Sequence, residues 1–193
     1  MADFVLASTS PRRHDLLRQA GYLFDAVDPG EDGPSSATTP RGRVLDHARH
    51  KAHSGQTQAP GRVVLASDTL VWCADEVLPK PVDEADAARM LSLLAERDHE
   101  VWTGVCVLDT AGAVHESAAV ARVRFGAIPT AEAEAYLAGS EWADKAGAYA
   151  IQGTAGRWCS LIEGDFDTVV GLPLALVSEL LRAAGACSDP PVG

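Results

Sequence analysis

Val63-Val64-Leu65-Ala66-Ser67-Asp68-Thr69-Leu70-Val71-Trp72 is the stretch on which the reading of the whole chain turns. Val63 to Ala66 has the short apolar pattern of a buried strand, and Leu70-Val71-Trp72 continues it beyond three small polar residues. An ionised carboxylate in such a run is costly unless it is paired, bound to a metal or set in a cleft. Asp68 is therefore either a strand-end carboxylate satisfied by nearby backbone N–H groups or a working group of a site. The second reading is favoured, because perturbed carboxylates concentrate where chemistry is done.

Outward from this strand the chain alternates between helical and extended patterns. Phe4-Val5-Leu6-Ala7 reads as a second buried strand. Ser8-Thr9-Ser10-Pro11 opens a helix over 11–20, with Ser10 at the N-cap, Pro11 at N1, Leu16, Leu17 and Ala20 inward, and Gly21 as the stop. Residues 28–40, rich in Gly, Pro, Ser and acid, form a loop expected to act as a flexible flap. A helix follows Thr39-Pro40 with Val44, Leu45, Ala48 and Ala52 on one stripe. Two prolines around Lys80 stiffen the connection over 76–81, and Asp83 caps a helix carrying Ala87, Met90, Leu91 and Leu94. Strands are expected near 99–109 and 114–125, joined by Ala111-Gly112-Ala113, then a helix over 131–138 ending at Gly139. Strands near 157–162 and 166–170 and a helix over 174–184 complete a mixed α/β domain spanning 1–184, followed by a flexible tail over 185–193.

The 193 residues carry 47% hydrophobic and 22% charged side chains, which excludes a wholly disordered chain. Sixteen basic against 27 acidic residues give a net charge of −11, which opposes broad contact with nucleic-acid polymers or anionic membranes. Aromatic residues, at 6%, are too sparse for a base-stacking platform. Cys73, Cys106, Cys159 and Cys187 show neither a CxxC spacing nor a disulfide framework, and the N-terminus lacks the basic segment of a signal peptide. With no apolar run of about 18 residues, a soluble cytoplasmic protein is expected.

Several residues fit poorly with a purely structural role. Arg12 and Arg13 stand in the first turn of a helix, whose N-terminus already carries partial positive charge. Beside the Ser8, Thr9 and Ser10 hydroxyls they make either an anion site or a pair of solvated arginines. Lys51, near the edge of an apolar stripe, and Lys80, between prolines, are each solvated lysines by default; together with the arginines they supply four positive charges to one polyanion. His47, His50 and His53 recur every third residue on one helix, a spacing that suits a surface cluster better than a zinc site. Gln152 reads as a loop amide bonded to backbone, although an amide also matches the edge of a nucleobase. No P-loop, HExxH or GxSxG is present, so a P-loop, zincin or α/β-hydrolase mechanism has no sequence support.

Taken together, Leu6-Ala7-Ser8-Thr9-Ser10-Pro11-Arg12-Arg13, Ala48-Arg49-His50-Lys51-Ala52, Ala66-Ser67-Asp68-Thr69, Leu78-Pro79-Lys80-Pro81, Val101-Trp102-Thr103-Gly104-Val105, Asp144-Lys145-Ala146-Gly147-Ala148-Tyr149-Ala150-Ile151-Gln152-Gly153 and Val169-Val170-Gly171-Leu172-Pro173-Leu174 occur in an order that resembles the Maf family. These are nucleoside triphosphate pyrophosphatases once described as septum-formation inhibitors. The resemblance covers about residues 4 to 182. It implies an elongated mixed-sheet α/β fold of the Maf/inosine-triphosphatase kind, with two lobes around a deep cleft, commonly a homodimer. It also implies cleavage of a nucleoside triphosphate between the α- and β-phosphates with a divalent cation, Mg²⁺ or Mn²⁺. Asp68 takes the place of the family's proton acceptor; Arg13, Lys51 and Lys80, with Ser8, take the places of its phosphate-binding residues. Arg12, Thr69 and Gln152 match the dTTP/UTP branch rather than the branch acting on 7-methyl-GTP, which tends to carry tryptophan where this chain has Arg12. The family's acidic loop reads here Gly30-Glu31-Asp32-Gly33, so either Glu31 or Asp32 fills the metal-binding place, and alanine at 150 replaces the usual glycine. The contrasting expectation, drawn from that altered loop, is a catalytically silent nucleotide-binding regulator of cell division. A phosphatase releasing orthophosphate is more remote.

Overall fold

The structure, a computed structural model, describes residues 2–186; Met1 and residues 187–193, with Cys187 and most of the expected tail, lie outside it. The strands are β1 (Phe4–Ala7), β2 (Phe24–Val27), β3 (Val64–Cys73), β4 (Glu76–Leu78), β5 (Asp98–Leu108), β6 (Val114–Phe125) and β7 (Cys159–Glu163). The helices are α1 (Pro11–Gln19), α2 (Pro40–Gln58), α3 (Glu84–Leu94), α4 (Thr130–Leu137), α5 (Phe166–Val170) and α6 (Leu174–Ala183), with 3-10 turns at Ala146–Ala148 and Thr154–Trp158. The strands form one seven-stranded mixed sheet in the order β2-β1-β3-β5-β6-β7, with β4 on β3. β1 runs parallel to β2 and β3, whereas β3–β4 and β6–β7 are antiparallel. No described helix is long and apolar enough to cross a membrane.

The chain divides into two compact units. The first comprises the chain up to Asp68, Thr103–Ala119 and the chain from Gly171 onward. β1 and the opening Val64-Leu65-Ala66 of β3 are continuously apolar because both faces are covered. Phe4, Leu6, Val63, Leu65, Val105 and Val107 pack with Leu17 of α1 and with Val177, Leu180 and Leu181 of α6. The alternate residues Val5, Ala7, Val64, Ala66, Cys106 and Leu108 face Ala48 and Ala52 of α2. Small residues let α2 approach closely: a Cβ on Gly55 would lie 2.7 Å from the Ala7 Cβ, and one on Gly104 of β5 only 2.5 Å from the Val44 carbonyl oxygen. Thr39 caps α2 by accepting from the Gly42 N–H at 3.2 Å.

The second unit, Thr69–Trp102 with Val120–Val170, packs Val71, Val101, Val123 and Phe125 from the strands against Met90, Leu91 and Leu94 of α3 and Tyr136 of α4. Ala74 (φ 50°) and Asp75 (φ 61°) form the two-residue reversal that adds β4 to β3, an element that the proline-bounded connection does not announce. The segment 166–170, expected as a strand, is instead the single helical turn α5. Its β-branched Thr168-Val169-Val170 favours extension, but Gly164 (φ 83°) turns the chain out of β7, and the Thr168 N–H bonds back to the Asp165 carbonyl at 3.1 Å. Local hydrogen bonding and the burial of Thr168 and Val170 outweigh propensity there.

Candidate active site

α2 and β3 carry the centre of the site. Lys51, a solvated lysine by default from spacing alone and a phosphate-binding residue by the family resemblance, is buried on the inner side of α2, 9% exposed. Its ammonium donates to Asp68 Oδ1 and Asp32 Oδ1, at 2.6 Å each. A cation so placed explains how Asp68, 8% exposed, is tolerated inside an apolar strand. The second Asp68 oxygen faces His47 Nδ1 at 3.2 Å. His47 lies four residues before Lys51, so ring and ammonium project from the same side of the helix. The surface-cluster reading thus holds for His50 and His53, which are exposed, and fails for His47.

Burial alone raises the proton affinity of the Asp68 carboxyl, but the His47 bond, the Lys51 ammonium and the Arg13 guanidinium outweigh it and hold the group below its ordinary pKa. The bond to Asp68 correspondingly raises the His47 imidazole above its usual value. Asp68 is thereby kept ionised, and Asp32, His47 and Asp68 bring one ligand atom each to within 4.8 Å of one another.

The loop over 28–39 supplies Asp32, and it is tied down along α2. Ser54 donates to the Pro29 carbonyl at 2.7 Å, Gln58 to the Asp28 carbonyl at 2.7 Å, Arg43 to the Ala37 carbonyl at 3.0 Å, and Ser35 to Asp46 at 2.7 Å. These bonds hold the segment that was expected to be a flap, in which Asp32 rather than Glu31, both of them exposed, faces Lys51.

The Ser8–Arg13 segment adds a further wall within the first unit. Ser8 is buried, and its hydroxyl accepts from the Ser10 N–H at 3.2 Å and from Arg13 Nη1 at 3.4 Å. Ser10 occupies the N-cap position, but its side chain makes no capping bond, and its own N–H donates to the Ser8 hydroxyl. Arg13 Nε donates to the Gly171 carbonyl at 2.9 Å, which also accepts from Ser67 at 3.1 Å. Gly171, at φ 112°, adopts a backbone shape closed to most side chains, and so presents that carbonyl to both. Arg12 is half-buried on the first turn of α1.

Thr69, Lys80 and Gln152 belong to the second unit. Thr69 is half-buried immediately after Asp68; Lys80 is exposed after Pro79, whose carbonyl accepts from the Gly147 N–H at 3.1 Å. Gln152 is exposed in the turn closed by Gly153 N–H to the Ala150 carbonyl at 3.0 Å, and its side chain makes no hydrogen bond among the described residues. Among the described residues the cysteines offer no nucleophile: burial pushes the Cys73 thiol up, and those of Cys106 and Cys159 up to about 12 and about 11.

A mixed α/β scaffold presenting a buried, ionised aspartate among a lysine, an arginine and a second carboxylate belongs to the class of proteins equipped for an anionic substrate. The chain belongs to the Maf family, since residues 3–184 match the family described as Maf-like protein. Its relatives include a dTTP/UTP pyrophosphatase from Anaeromyxobacter dehalogenans, 47% identical over 94% of this chain and 93% of the relative. Another dTTP/UTP pyrophosphatase, from Novosphingobium aromaticivorans, is 42% identical over 95% and 92% of the two chains. Among solved structures, the nucleoside-triphosphatase / dITP/XTP pyrophosphatase of Mycobacterium abscessus aligns over 94% of this chain and 95% of that one, at 17% identity and a TM-score of 0.48.

Proposed function

We propose that this protein hydrolyses dTTP and UTP between the α- and β-phosphates, releasing the nucleoside monophosphate and pyrophosphate, with Asp68 accepting a proton from the attacking water. The observation that carries this reading is the Asp68 carboxylate itself, buried yet kept ionised by Lys51 and His47. A proton acceptor must be ionised before reaction and within hydrogen-bond reach of its water. The names of the relatives support the reaction and the nucleotide class. Ser8, Arg13 and Lys51 would bind phosphate oxygens beside Asp68. The phosphate role of Lys80 and the base-reading roles of Arg12, Thr69 and Gln152 are supported by the family resemblance.

Two carboxylates bracketing one ammonium form a donor set that suits a divalent cation, and the Lys51 charge already stands between them. Asp32 and Asp68 would hold Mg²⁺ or Mn²⁺, which when bound polarises a phosphoryl oxygen and acidifies water. Around it, Asp68 orients the water and Arg13 balances substrate charge. A cytoplasmic location, supported by the free Cys73, Cys106 and Cys159, and a homodimer, supported by the resemblance, are part of the same proposal.

The test is incubation with dTTP, UTP, GTP and 7-methyl-GTP in Mg²⁺ or Mn²⁺, with products resolved by anion exchange and the oligomer sized in parallel. dTMP and UMP with pyrophosphate are expected. Orthophosphate release, or nucleotide binding without turnover in either metal, would overturn the reading.

A further inference from the structure

We propose that His47 is a third ligand of the cation held by Asp32 and Asp68, and that its nitrogen gives the site a preference for a first-row transition cation, Mn²⁺ or Co²⁺, over Mg²⁺. The inference rests on the reading of this centre as a metal-assisted hydrolytic site.

The separation of His47 Nδ1 from Asp68 Oδ2 is 3.2 Å. Two neighbouring ligands of one ion, each bound at about 2.1 Å, stand about 3 Å apart, so this pair already has the spacing of adjacent ligands. Asp32, with its side chain 48% exposed, completes a group whose ligand atoms lie within 4.8 Å of one another. The second observation is where the positive charge sits. Lys51 Nζ lies 2.6 Å from Oδ1 of each carboxylate, so a positive charge already stands between two of the three ligand side chains, while Asp68 Oδ2 is left to His47. Imidazole and ammonium reach Asp68 together because they project from α2 one turn apart, and the close approach of α2 to the sheet at Gly104 and Gly55 holds the helix at that depth.

The chemistry then sets the preference. Mg²⁺ favours oxygen donors in strict octahedral geometry and keeps its waters, whereas an imidazole nitrogen suits the borderline first-row cations. Two carboxylates alone give Mg²⁺ and Mn²⁺ comparable donors. The added nitrogen favours the second.

Nucleotide-free wild type, His47→Leu and Asp68→Asn would be titrated with Mn²⁺ by electron paramagnetic resonance, and with Mg²⁺ by competition against bound Mn²⁺. Wild type is expected to bind Mn²⁺ at least tenfold more tightly than Mg²⁺. His47→Leu is expected to lose at least tenfold in Mn²⁺ affinity and less than threefold in Mg²⁺ affinity, while Asp68→Asn weakens both. A His47→Leu protein that keeps the wild-type Mn²⁺/Mg²⁺ ratio within twofold overturns the proposal, as does wild type with no preference. His47→Gln serves as a second variant if the leucine protein does not fold. Independently, Co²⁺-loaded wild type should show a hyperfine-shifted, exchangeable imidazole N–H proton; its absence also overturns the assignment. Pyrophosphate release from dTTP, measured separately in Mg²⁺, distinguishes the two readings: absent turnover with His47 ligation intact removes the hydrolytic reading alone.

Discussion

His99 should make the second unit acid-sensitive by a predictable amount. The ring is 3% exposed, sits edge-on to Tyr149, and faces the Tyr149 hydroxyl through Nε2 at 2.6 Å. Its Nδ1 is buried without a hydrogen-bond partner among the described residues. Burial lowers the pKa to about 4, against an ordinary 6.5, with the Asp98 charge offsetting only part of the penalty. The neutral ring is the folded form, so between these values the unfolded chain binds a proton that the native one refuses. Stability is intact above pH 6.5 and declines as pH falls toward 4. At 1.36 kcal/mol per pKa unit the full loss is about 3.4 kcal/mol, of which about 2 kcal/mol is gone at pH 5. All four tryptophans, Trp72, Trp102, Trp142 and Trp158, lie in the second unit, so their fluorescence reports its unfolding selectively. Urea unfolding of wild type and His99→Gln at pH 7.5 and 5.0 provides the measurement. The variant begins lower at pH 7.5, because the Tyr149 contact is altered, but it should lose about 2 kcal/mol less on acidification. Equal losses in the two proteins would refute the reasoning, whatever their absolute stabilities.

Three other perturbations address the first unit. Asp68→Asn should lower kcat for dTTP by roughly 10²–10⁴-fold, the usual contribution of a positioned acid–base group, with KM little changed; steady-state kinetics decide it. Lys51→Met leaves the carboxylates of Asp32 and Asp68 facing each other without their shared cation. Losing one partner of a buried pair costs about 3 kcal/mol, and this loss should appear in urea unfolding at pH 7.5. Gly104→Ala would place a Cβ 2.5 Å from the Val44 carbonyl oxygen and 2.6 Å from its carbon, both backbone atoms that no rotamer change can move. A destabilisation of about 1–3 kcal/mol is expected, with a fall in kcat as α2 lifts His47 and Lys51 away from Asp68; an unchanged melting temperature and kcat would refute the close-approach argument.

Much of the architecture can be read along the chain, but unevenly. α2, α3 and α6 are legible because a stripe at helical spacing needs only one apolar partner face, whatever that partner is. β1, β3, β5 and β6 are legible as apolar runs. The short β2 and β4 are not, since each exists as a strand only because a neighbour offers its edge. α5 misleads for the converse reason: its residues favour a strand, and the native chain gives them no edge to join.

Within the site, Asp68 could be singled out from sequence because a carboxylate among apolar residues demands a partner, a demand that is local. Which partner answers it is not a local matter. Lys51 lies 17 residues away and His47 21 residues away, and both reach Asp68 only because Gly55 and Gly104 let α2 settle close to the sheet. Asp32 rather than Glu31 faces Lys51 where the 28–39 loop is hydrogen-bonded along α2, a choice that composition could not make. The amino-acid order by itself determined most of the element pattern, the family and the aspartate that requires a counter-charge, since each depends on residue type at short spacing. The tertiary structure alone decided the identity of that counter-charge and the burial of Lys51 and His47, because these depend on the depth at which one helix packs on one strand.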